Sequence, residues 1–288
     1  MSAASHPRSD PYFAHKVALV TGAASGIGRG LALELGRRGS RVILADLQAG
    51  KLAAVLAELR QAGGAARAEV VDVTDFAAVD AMVDRVFQQE GRLDFLFNNA
   101  GIAVGGGAHH YSIDDWRRVV NVNLMGVIHG VQAGYRRMIA QGSGHIVNTA
   151  SAVGLMPSGR AVGYSATKHA IVGLSTSLRE QAAMHGVKVT VLCPGMVHTD
   201  LLTGKSPYGR ELVPIPEADL DKLVRILRPT PPDVFARQAL RAVRRNQAVF
   251  LPGVLLHVLW WICRVAPGWS RKLDHALLQV SPVAHTLR

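Results

Sequence analysis

Two residues that can move protons lie four positions apart in the segment GYSATKHA, residues 163–170. If this segment opens a helix, Tyr164 and Lys168 lie about one turn apart, so a phenol and an ammonium group project from the same face. An isolated pair of this kind is usually an ordinary surface tyrosine and lysine. Its chemistry therefore depends on which residues and elements accompany it.

A second candidate is the glycine-rich segment TGAASGIG, residues 21–28. Gly22, Gly26 and Gly28 lie between an apolar run and a helical pattern, where glycines let backbone N–H groups approach a phosphate at the helix N-terminus. Asp46 ends the next apolar run, and a carboxylate there accepts hydrogen bonds from ribose hydroxyls and repels a 2′-phosphate. The following residue is Leu47 rather than a basic one. The pattern predicts a dinucleotide site that prefers NAD to NADP.

The elements that position these residues alternate along the first two thirds of the chain. Short apolar runs and longer helical patterns indicate βαβ units on a parallel sheet. The predicted strands cover residues 16–22, 41–46, 68–73, 93–101, 144–151 and 187–195, with a last short strand in 246–253. One long helix is expected from a cap at Ser112 to residue 141.

The predicted fold is α/β, a doubly wound parallel sheet of Rossmann type in a single domain with a C-terminal helical extension. A flexible arm (1–14) would precede the catalytic domain (15–251), which includes a lid at about 200–230. An apolar and basic extension (252–288) would follow.

Composition narrows the function classes. The formal net charge is +11, but basic residues do not alternate with aromatic ones, so nucleic acid is not an expected partner. The two cysteines lie in apolar runs and suit buried thiols in a reducing compartment. The twelve histidines are scattered, and no metal-ligand cluster is visible. The polar first residues do not resemble a secretory signal, which favours a cytoplasmic location.

Taken together, the motifs resemble those of the short-chain dehydrogenase/reductase family. They are the glycine turn, NNAG (98–101), Ser151, Tyr164-x-x-x-Lys168 and PG (194–195), in the order and spacing of that family. The resemblance covers roughly residues 15–200 and implies an NAD-dependent oxidoreductase acting on CH–OH groups.

The resemblance implies four catalytic residues. Tyr164 would be the general acid/base, and Ser151 would hydrogen-bond the substrate oxygen. Asn123, in VNVNLMG, would hold a water in the proton path. Lys168 would hold the nicotinamide ribose. Because a phenol with a pKa of about 10 is a poor base at neutral pH, the ammonium and the positive nicotinamide ring are expected to lower the pKa of Tyr164.

The resemblance also implies a cofactor site. Asp72 and Val73 would border the adenine ring, Asn99 would line the cofactor groove, and Val197 and Thr199 would contact the carboxamide. The full implied set is Gly22, Ser25, Gly26, Ile27, Gly28, Asp46, Asp72, Val73, Asn99, Tyr164, Lys168, Val197 and Thr199.

The expected substrate is a hydrophobic secondary alcohol or ketone, since the candidate pocket residues are mostly apolar. These are Val153, Leu155, Met156, Met196 and His198, with the lid from Leu201 to Leu227. Two alternatives stay open: a membrane-surface lipid or steroid/retinoid-type dehydrogenase, and a non-catalytic redox sensor that binds a dinucleotide.

The C-terminal part departs from common family members, whose chains end soon after a strand carrying a Gly-Gly pair. Its apolar stretch is too short and too interrupted to span a bilayer. It would pack within the protein or on a subunit, or residues 252–272 would contact a membrane peripherally. In the second case Trp260, Trp261 and Trp269 would lie at the interface, with Arg264, Arg271 and Lys272 near lipid phosphates. A homodimer through helices at 112–141 and 164–185 is expected, whereas a tetramer is in doubt.

Overall fold

The computed structural model describes residues 10–202, 206–268 and 272. Seven parallel strands form the main sheet in the order β3-β2-β1-β4-β6-β7-β9. They are β1 Val17–Thr21, β2 Arg41–Asp46, β3 Ala66–Val70, β4 Phe95–Asn98, β6 Gly144–Thr149, β7 Val187–Leu192 and β9 Val249–Phe250. A separate parallel pair joins β5 Val104–Gly105 to β8 Arg210–Glu211. The predicted α/β fold with a doubly wound parallel sheet is confirmed.

Helices cover both faces of the sheet. Those described are α1 Gly26–Arg37, α2 Ala49–Gln61, α3 Phe76–Glu90, α4 Ile113–Val120, α5 Gly126–Gln141, α6 Val162–Ala183, α7 Glu217–Leu227, α8 Pro232–Arg244 and α9 Val254–Val265. Strand β1 is buried along its whole length, as expected for a strand covered on both faces. Alternate strand residues enter different core clusters: Leu19 and Ile43 enter one, and Val20 and Leu44 the other.

Helix ends follow local sequence signals near the site. The Ser112 side chain accepts a hydrogen bond from Asp115 N while the Asp115 side chain accepts one from Ser112 N, so the predicted cap is a complete capping box. Asp75 caps α3, and Gly91 ends that helix in the left-handed region at φ 72°. These signals fix where each helix begins beside the sheet edge.

The predicted long helix from Ser112 to residue 141 is interrupted. Residues Asn121–Met125 form a π-helical turn between α4 and α5. One extra residue in such a turn rotates the following side chains, and π turns are frequent at functional sites. Strand β3 also differs, since it ends at Val70 rather than at residue 73. Asp72 and Val73 therefore lie just beyond the strand, at the edge of the sheet.

The residues expected to form a loose arm pack against the core from residue 10 onward. Phe13 is fully buried, contacts the Phe95 ring, and accepts a hydrogen bond at its carbonyl from the Ser40 hydroxyl. Apolar burial of an aromatic ring explains why this segment is held in place. Residues 1–9 of the expected arm lie outside the described residues.

The C-terminal region begins with a helix, as predicted. None of the helices in the described ranges is long and apolar enough to cross a membrane. Of the residues expected at a membrane interface, Trp269 and Arg271 lie outside the described residues.

Candidate active site

A cleft opens at the carboxyl ends of the parallel strands, where the strand order reverses between β1 and β4. This switch point is where doubly wound sheets bind ligands, because adjacent connections leave the sheet on opposite faces. The cleft encloses about 1220 Å³ including its open mouth. The candidate catalytic and cofactor residues must be placed relative to it.

The glycine turn forms the floor of one end of the cleft. Gly22 and Gly26 adopt positive φ values of 67° and 52°, a conformation that other residues rarely adopt. A Cβ on Gly28 would lie 1.9 Å from the Gly22 carbonyl oxygen, so this position requires glycine for close packing. The turn leads directly into the N-terminus of α1, whose free N–H groups and dipole favour an anion. These features fit the pyrophosphate of a dinucleotide.

Asp46 connects this turn to the second strand. Its carboxylate accepts hydrogen bonds from Ala24 N at 3.0 Å and from Gln48 N at 2.9 Å. The carboxylate therefore has a fixed orientation while it still lines the cleft. Its remaining lone pairs are suited to the ribose hydroxyls of an adenosine.

Tyr164 and Lys168 lie together in the first turns of α6. The Lys168 ammonium nitrogen is 5.4 Å from the centre of the Tyr164 ring and donates a 2.8 Å hydrogen bond to the Thr149 carbonyl. Ser151 follows β6 and hydrogen-bonds the Tyr164 hydroxyl. Both α6 residues line the cleft, whereas Ser151 is buried and is not part of the lining. The structure thus brings the predicted phenol, ammonium and hydroxyl groups into one cluster.

Burial controls the protonation of this cluster. It raises the pKa of Tyr164 to about 12, and the hydrogen bond with Ser151 opposes that rise. Burial also lowers the pKa of Lys168 to about 8. In this structure the pKa of Tyr164 is therefore raised rather than lowered, because desolvation of the phenolate outweighs the hydrogen bond with Ser151.

Asn123 occupies the π-helical turn and is fully buried. Its side-chain oxygen accepts from Ile102 N at 2.8 Å, and its amide donates to Ile102 O at 3.0 Å and to the Thr167 hydroxyl at 3.3 Å. Asn123 and Lys168 also border the same glycine, because a Cβ on Gly101 would lie 3.3 Å from Asn123 Oδ1 and 3.6 Å from Lys168 Nζ. Asn123 thus connects α6 to the loop after β4.

Asn99 joins three strands at the centre of the cleft. Its backbone N–H donates to the Thr21 hydroxyl at 2.9 Å, its side-chain amide donates to Thr21 O at 3.1 Å, and its Oδ1 accepts from the Thr149 hydroxyl at 3.2 Å. These bonds fix the ends of β1, β4 and β6 relative to one another. They keep the surface behind the predicted cofactor groove rigid.

Most of the predicted cofactor residues line the cleft. Those that do are Gly22, Ser25, Gly26, Ile27, Asp46, Asp72, Val73, Asn99, Tyr164, Lys168 and Thr199. Gly28 is packed beneath the turn, and Val197 is buried in the core with its backbone bridged to Thr230. These two residues support the cleft from behind rather than facing it.

The expected substrate-pocket residues divide into two groups, those that line the cleft and those that do not. Val153, Leu155, Met156, Met196 and His198 are not part of the cleft lining. Leu155 and Met156 pack against the main core, and Met196 is exposed. The apolar residues that do line the cleft include Ile102, Val122, Ala150 and Pro194, together with Leu201 of the expected lid. Sequence proximity to Ser151 and to the PG motif did not reveal which side chains face the opening.

Backbone hydrogen bonds and two ion pairs hold the lid against neighbouring segments. Its strand β8 hydrogen-bonds to β5 through Arg210 N to Ala103 O and Leu212 N to Gly105 O, both 2.9 Å. Ion pairs from Arg210 to Asp115 and from Arg160 to Glu211, both 3.1 Å, reinforce this attachment. The lid contributes Ser206, Pro207 and Tyr208 to the cleft. Residues 203–205 of the expected lid lie outside the described residues.

Two basic residues of the cleft were missed by sequence reasoning. Lys51 lines the cleft beside Asp46 and pairs with Asp200 at 3.4 Å, across the opening. Arg118 on α4 also lines it. A signal for Lys51 existed, because α2 begins three residues after Asp46 and turns Lys51 toward the same edge of the sheet.

The comparisons with known proteins match this geometry. The sequence profile of short chain dehydrogenases matches residues 16–208, about two thirds of the chain. This chain belongs to the short-chain dehydrogenase family. The probable oxidoreductase EphD of Mycobacterium tuberculosis is 33% identical over 266 residues, covering 91% of this chain. The chain spans only 45% of that protein's length.

Solved structures of the family agree with the fold. A short-chain dehydrogenase/reductase from Burkholderia phymatum in complex with NAD is 31% identical, with a TM-score of 0.79 over 89% of this chain and 95% of that one. A putative NAD(P)-dependent gluconate 5-dehydrogenase from Beutenbergia cavernae, with bound NADP, is 30% identical, with a TM-score of 0.73 over 85% and 96%. Similar structures thus hold either dinucleotide.

Proposed function

We propose that this short-chain dehydrogenase transfers a hydride between NAD(H) and a hydrophobic secondary alcohol or ketone. The observation that supports the proposal is the arrangement of the cleft. The glycine turn and Asp46 lie at one end, and Tyr164, Lys168 and Ser151 are clustered at the other. One end suits a dinucleotide, and the other end can move a proton.

The residues of this chain have separate roles in the proposed reaction. When bound, the nicotinamide cofactor supplies the hydride chemistry. Tyr164 Oη donates a proton to the carbonyl oxygen during reduction, or accepts one from the hydroxyl during oxidation. Ser151 hydrogen-bonds the same substrate oxygen and orients it. Lys168 places positive charge near the phenol and so favours phenolate when the reaction requires a base.

In this proposal NAD is preferred to NADP because of the negative charge of Asp46. The Asp46 carboxylate faces the adenosine end and would repel a 2′-phosphate. Lys51 is the opposing consideration, since an ammonium group there would attract the same phosphate. Its pairing with Asp200 offsets that charge in the present arrangement.

The proposed substrate class follows from the apolar residues of the cleft. Ile102, Val122, Ala150, Pro194 and Leu201 line it, and the lid adds Tyr208. An apolar wall with a few convergent polar groups favours a hydrophobic ligand that is oriented by its single oxygen. A polar polyol would leave several hydroxyl groups without partners there.

The test is a screen of hydrophobic secondary alcohols and ketones with NAD and NADP in parallel, following absorbance of the reduced nicotinamide. Tyr164→Phe should lower kcat by 10²–10⁴-fold, the range that positioned acid/base groups contribute, while cofactor affinity persists. Tyr135→Phe is the matched control, because the Tyr135 hydroxyl has no hydrogen-bond partner among the described residues. Dinucleotide binding without turnover of any compound would instead favour a redox sensor.

A further inference from the structure

Helix α9 carries two apolar faces, and only one of them packs on the protein. Leu256 and Trp260 pack against the main core. On the opposite side, Val254 is 81% exposed and Trp261 is 64% exposed. Leu255, Val258 and Val265 are also exposed. A helix at the edge of a soluble domain normally buries one face and presents polar residues on the other.

Four of these five exposed residues form one stripe. Positions 254, 258, 261 and 265 follow the helical spacing of four, three and four residues, so their side chains project in one direction. Contiguous exposed apolar surface of this kind marks an interaction site, whereas single exposed apolar residues need no explanation. The outward face of α9 is therefore suited to a partner that supplies an apolar environment.

The charges around this stripe indicate what the partner is. Arg264 is exposed at the end of α9, with its guanidinium 5.6 Å from the Trp260 ring centre. No acidic residue occurs in the sequence between Asp233 and Asp274, while Arg271 and Lys272 follow the helix. A partner that fits is apolar within and anionic at its surface. A bilayer containing anionic lipids has both properties, and tryptophan favours its interface.

A second copy of the chain fits this face less well. A two-fold contact would place the same patch of each copy against the other. Arg264 would then face its own copy, and the sequence holds no acidic residue from 234 to 273 to pair with it. Like charges brought together at an interface oppose association. The charge distribution therefore favours lipid over self-association.

The inner face of α9 contacts the loop that borders the cleft. A Cβ on Gly195 would lie 2.8 Å from Leu256 Cδ1, so the helix and this loop are in close contact. The preceding residue, Pro194, lines the cleft. A bilayer on the outward face of α9 would thus lie close to the site where the substrate binds.

We propose that α9 docks the protein on anionic membranes through Val254, Val258, Trp261 and Val265, and that the cleft takes its apolar substrate from the bilayer. The second half of this statement rests on the proposed function. The docking half does not, so the two are tested separately.

The docking test uses the full chain and vesicles of phosphatidylcholine with or without phosphatidylglycerol. Flotation should recover the protein with the anionic vesicles, and high salt should weaken recovery because it screens the basic residues. Val258→Gln/Trp261→Gln should reduce the bound fraction at least tenfold. Ile113→Gln/Met184→Gln, which changes two exposed apolar side chains elsewhere, should bind like the unchanged protein.

Failure of the docking proposal and failure of the proposed function give different results. No binding to anionic vesicles, or binding equal in both double variants, overturns the proposal. So does a lipid-free dimer that dissociates in Val258→Gln/Trp261→Gln, because a second copy would then cover α9.

With a water-soluble alcohol the α9 variant should keep full turnover. With a substrate dissolved in vesicles it should lose at least fivefold. Absence of turnover in every variant would count against the proposed function and leave vesicle binding as the measure of docking.

Discussion

The Lys168 ammonium lies 5.4 Å from the centre of the Tyr164 ring and donates its hydrogen bond to the Thr149 carbonyl, not to the phenol. An effect of the lysine charge on the phenol would therefore act through space rather than through a hydrogen bond. Because burial holds the pKa of Tyr164 at about 12, the phenol is a proton donor at neutral pH. It becomes a base only where positive charge nearby favours phenolate.

Replacing Lys168 should therefore shift the pH dependence of oxidation. In Lys168→Met the phenolate loses a neighbouring cation, so the pKa of Tyr164 rises and the pH profile of kcat/KM for alcohol oxidation moves to higher pH by about one unit or more. Lys168→Arg keeps the charge and should shift less. A profile that does not move in Lys168→Met would show that the lysine serves cofactor binding alone.

Cofactor choice should depend on Asp46 and Lys51 in opposite directions. Asp46→Ser removes the carboxylate that repels a 2′-phosphate, so the preference for NAD over NADP should fall at least tenfold in kcat/KM. Lys51→Met should increase the preference for NAD. Lys222→Met is a control, because that lysine pairs with Asp219 on the outer lid helix and does not line the cleft. A higher kcat/KM for NADP in the unchanged enzyme would contradict this account of Asp46.

The glycine turn should tolerate no added methyl group at Gly28. In Gly28→Ala the new Cβ would collide with the Gly22 carbonyl, which forces the turn open. We expect a loss of about 1–3 kcal/mol in the free energy of unfolding, with dinucleotide affinity reduced at least tenfold. Chemical denaturation and fluorescence titration measure the two effects.

Gly50→Ala provides the matched control for that change. Gly50 lies in the first turn of α2, and nothing lies within 4 Å of a Cβ placed there. Alanine should therefore be neutral or stabilise the helix by up to about 1 kcal/mol. Equal destabilisation in both variants would mean that the glycine turn has no special packing requirement.

The lid ion pairs should affect substrate binding more than chemistry. Arg210→Gln removes the pair with Asp115, and Arg160→Gln removes the pair with Glu211. Each should raise KM several-fold with little change in kcat, and should speed limited proteolysis within 200–230. Arg237→Gln breaks a comparable pair with Asp233 on α8. It should change neither KM nor the rate of limited proteolysis.

Acid should weaken the contact between α3 and α5. Asp80 accepts hydrogen bonds from Arg136 and Arg137, and these arginines lower its pKa below the usual value. Its contribution to stability is therefore present above about pH 4 and is lost as the pH falls through the lowered pKa. Asp80→Asn should cost about 1 kcal/mol at pH 7, and the difference from the unchanged protein should shrink as the pH falls through the lowered pKa of Asp80.

Asp114→Asn tests whether that effect is specific to the α3–α5 contact. Asp114 is largely exposed and pairs with Arg117 on its own helix. Denaturation at pH 7 should show almost no change. If both variants lose the same stability at pH 7, the effect reflects overall charge rather than the position of Asp80.

The sequence predicts the sheet because its signals are local. Buried strands such as β1 appear as continuous apolar runs, Asp46 ends its strand as expected, and Ser112 caps the helix that follows. The order of the motifs gives the family, and the βαβ pattern gives the parallel topology. Each of these features is decided within a few residues of chain.

The features that sequence reasoning missed depend on contacts between distant segments. The π-helical turn at Asn123 lies inside an unbroken helical pattern, and its side chain bonds Ile102 and Thr167 from other elements. The burial of Phe13 depends on Ser40 and Phe95. The pKa of Tyr164 depends on how deeply α6 packs, which residue types alone do not define. Which of the expected pocket residues line the cleft depends on packing in the same way.

The pairing of β5 with β8 has a practical consequence for altering selectivity. The lid is joined to the loop after β4 by hydrogen bonds between peptide groups, and such bonds do not depend on which side chains the lid carries. Libraries that randomise cleft-facing lid positions such as Tyr208 should therefore retain the attachment while the chemistry of the enclosed surface changes. Engineering of new specificities can begin there without rebuilding the scaffold.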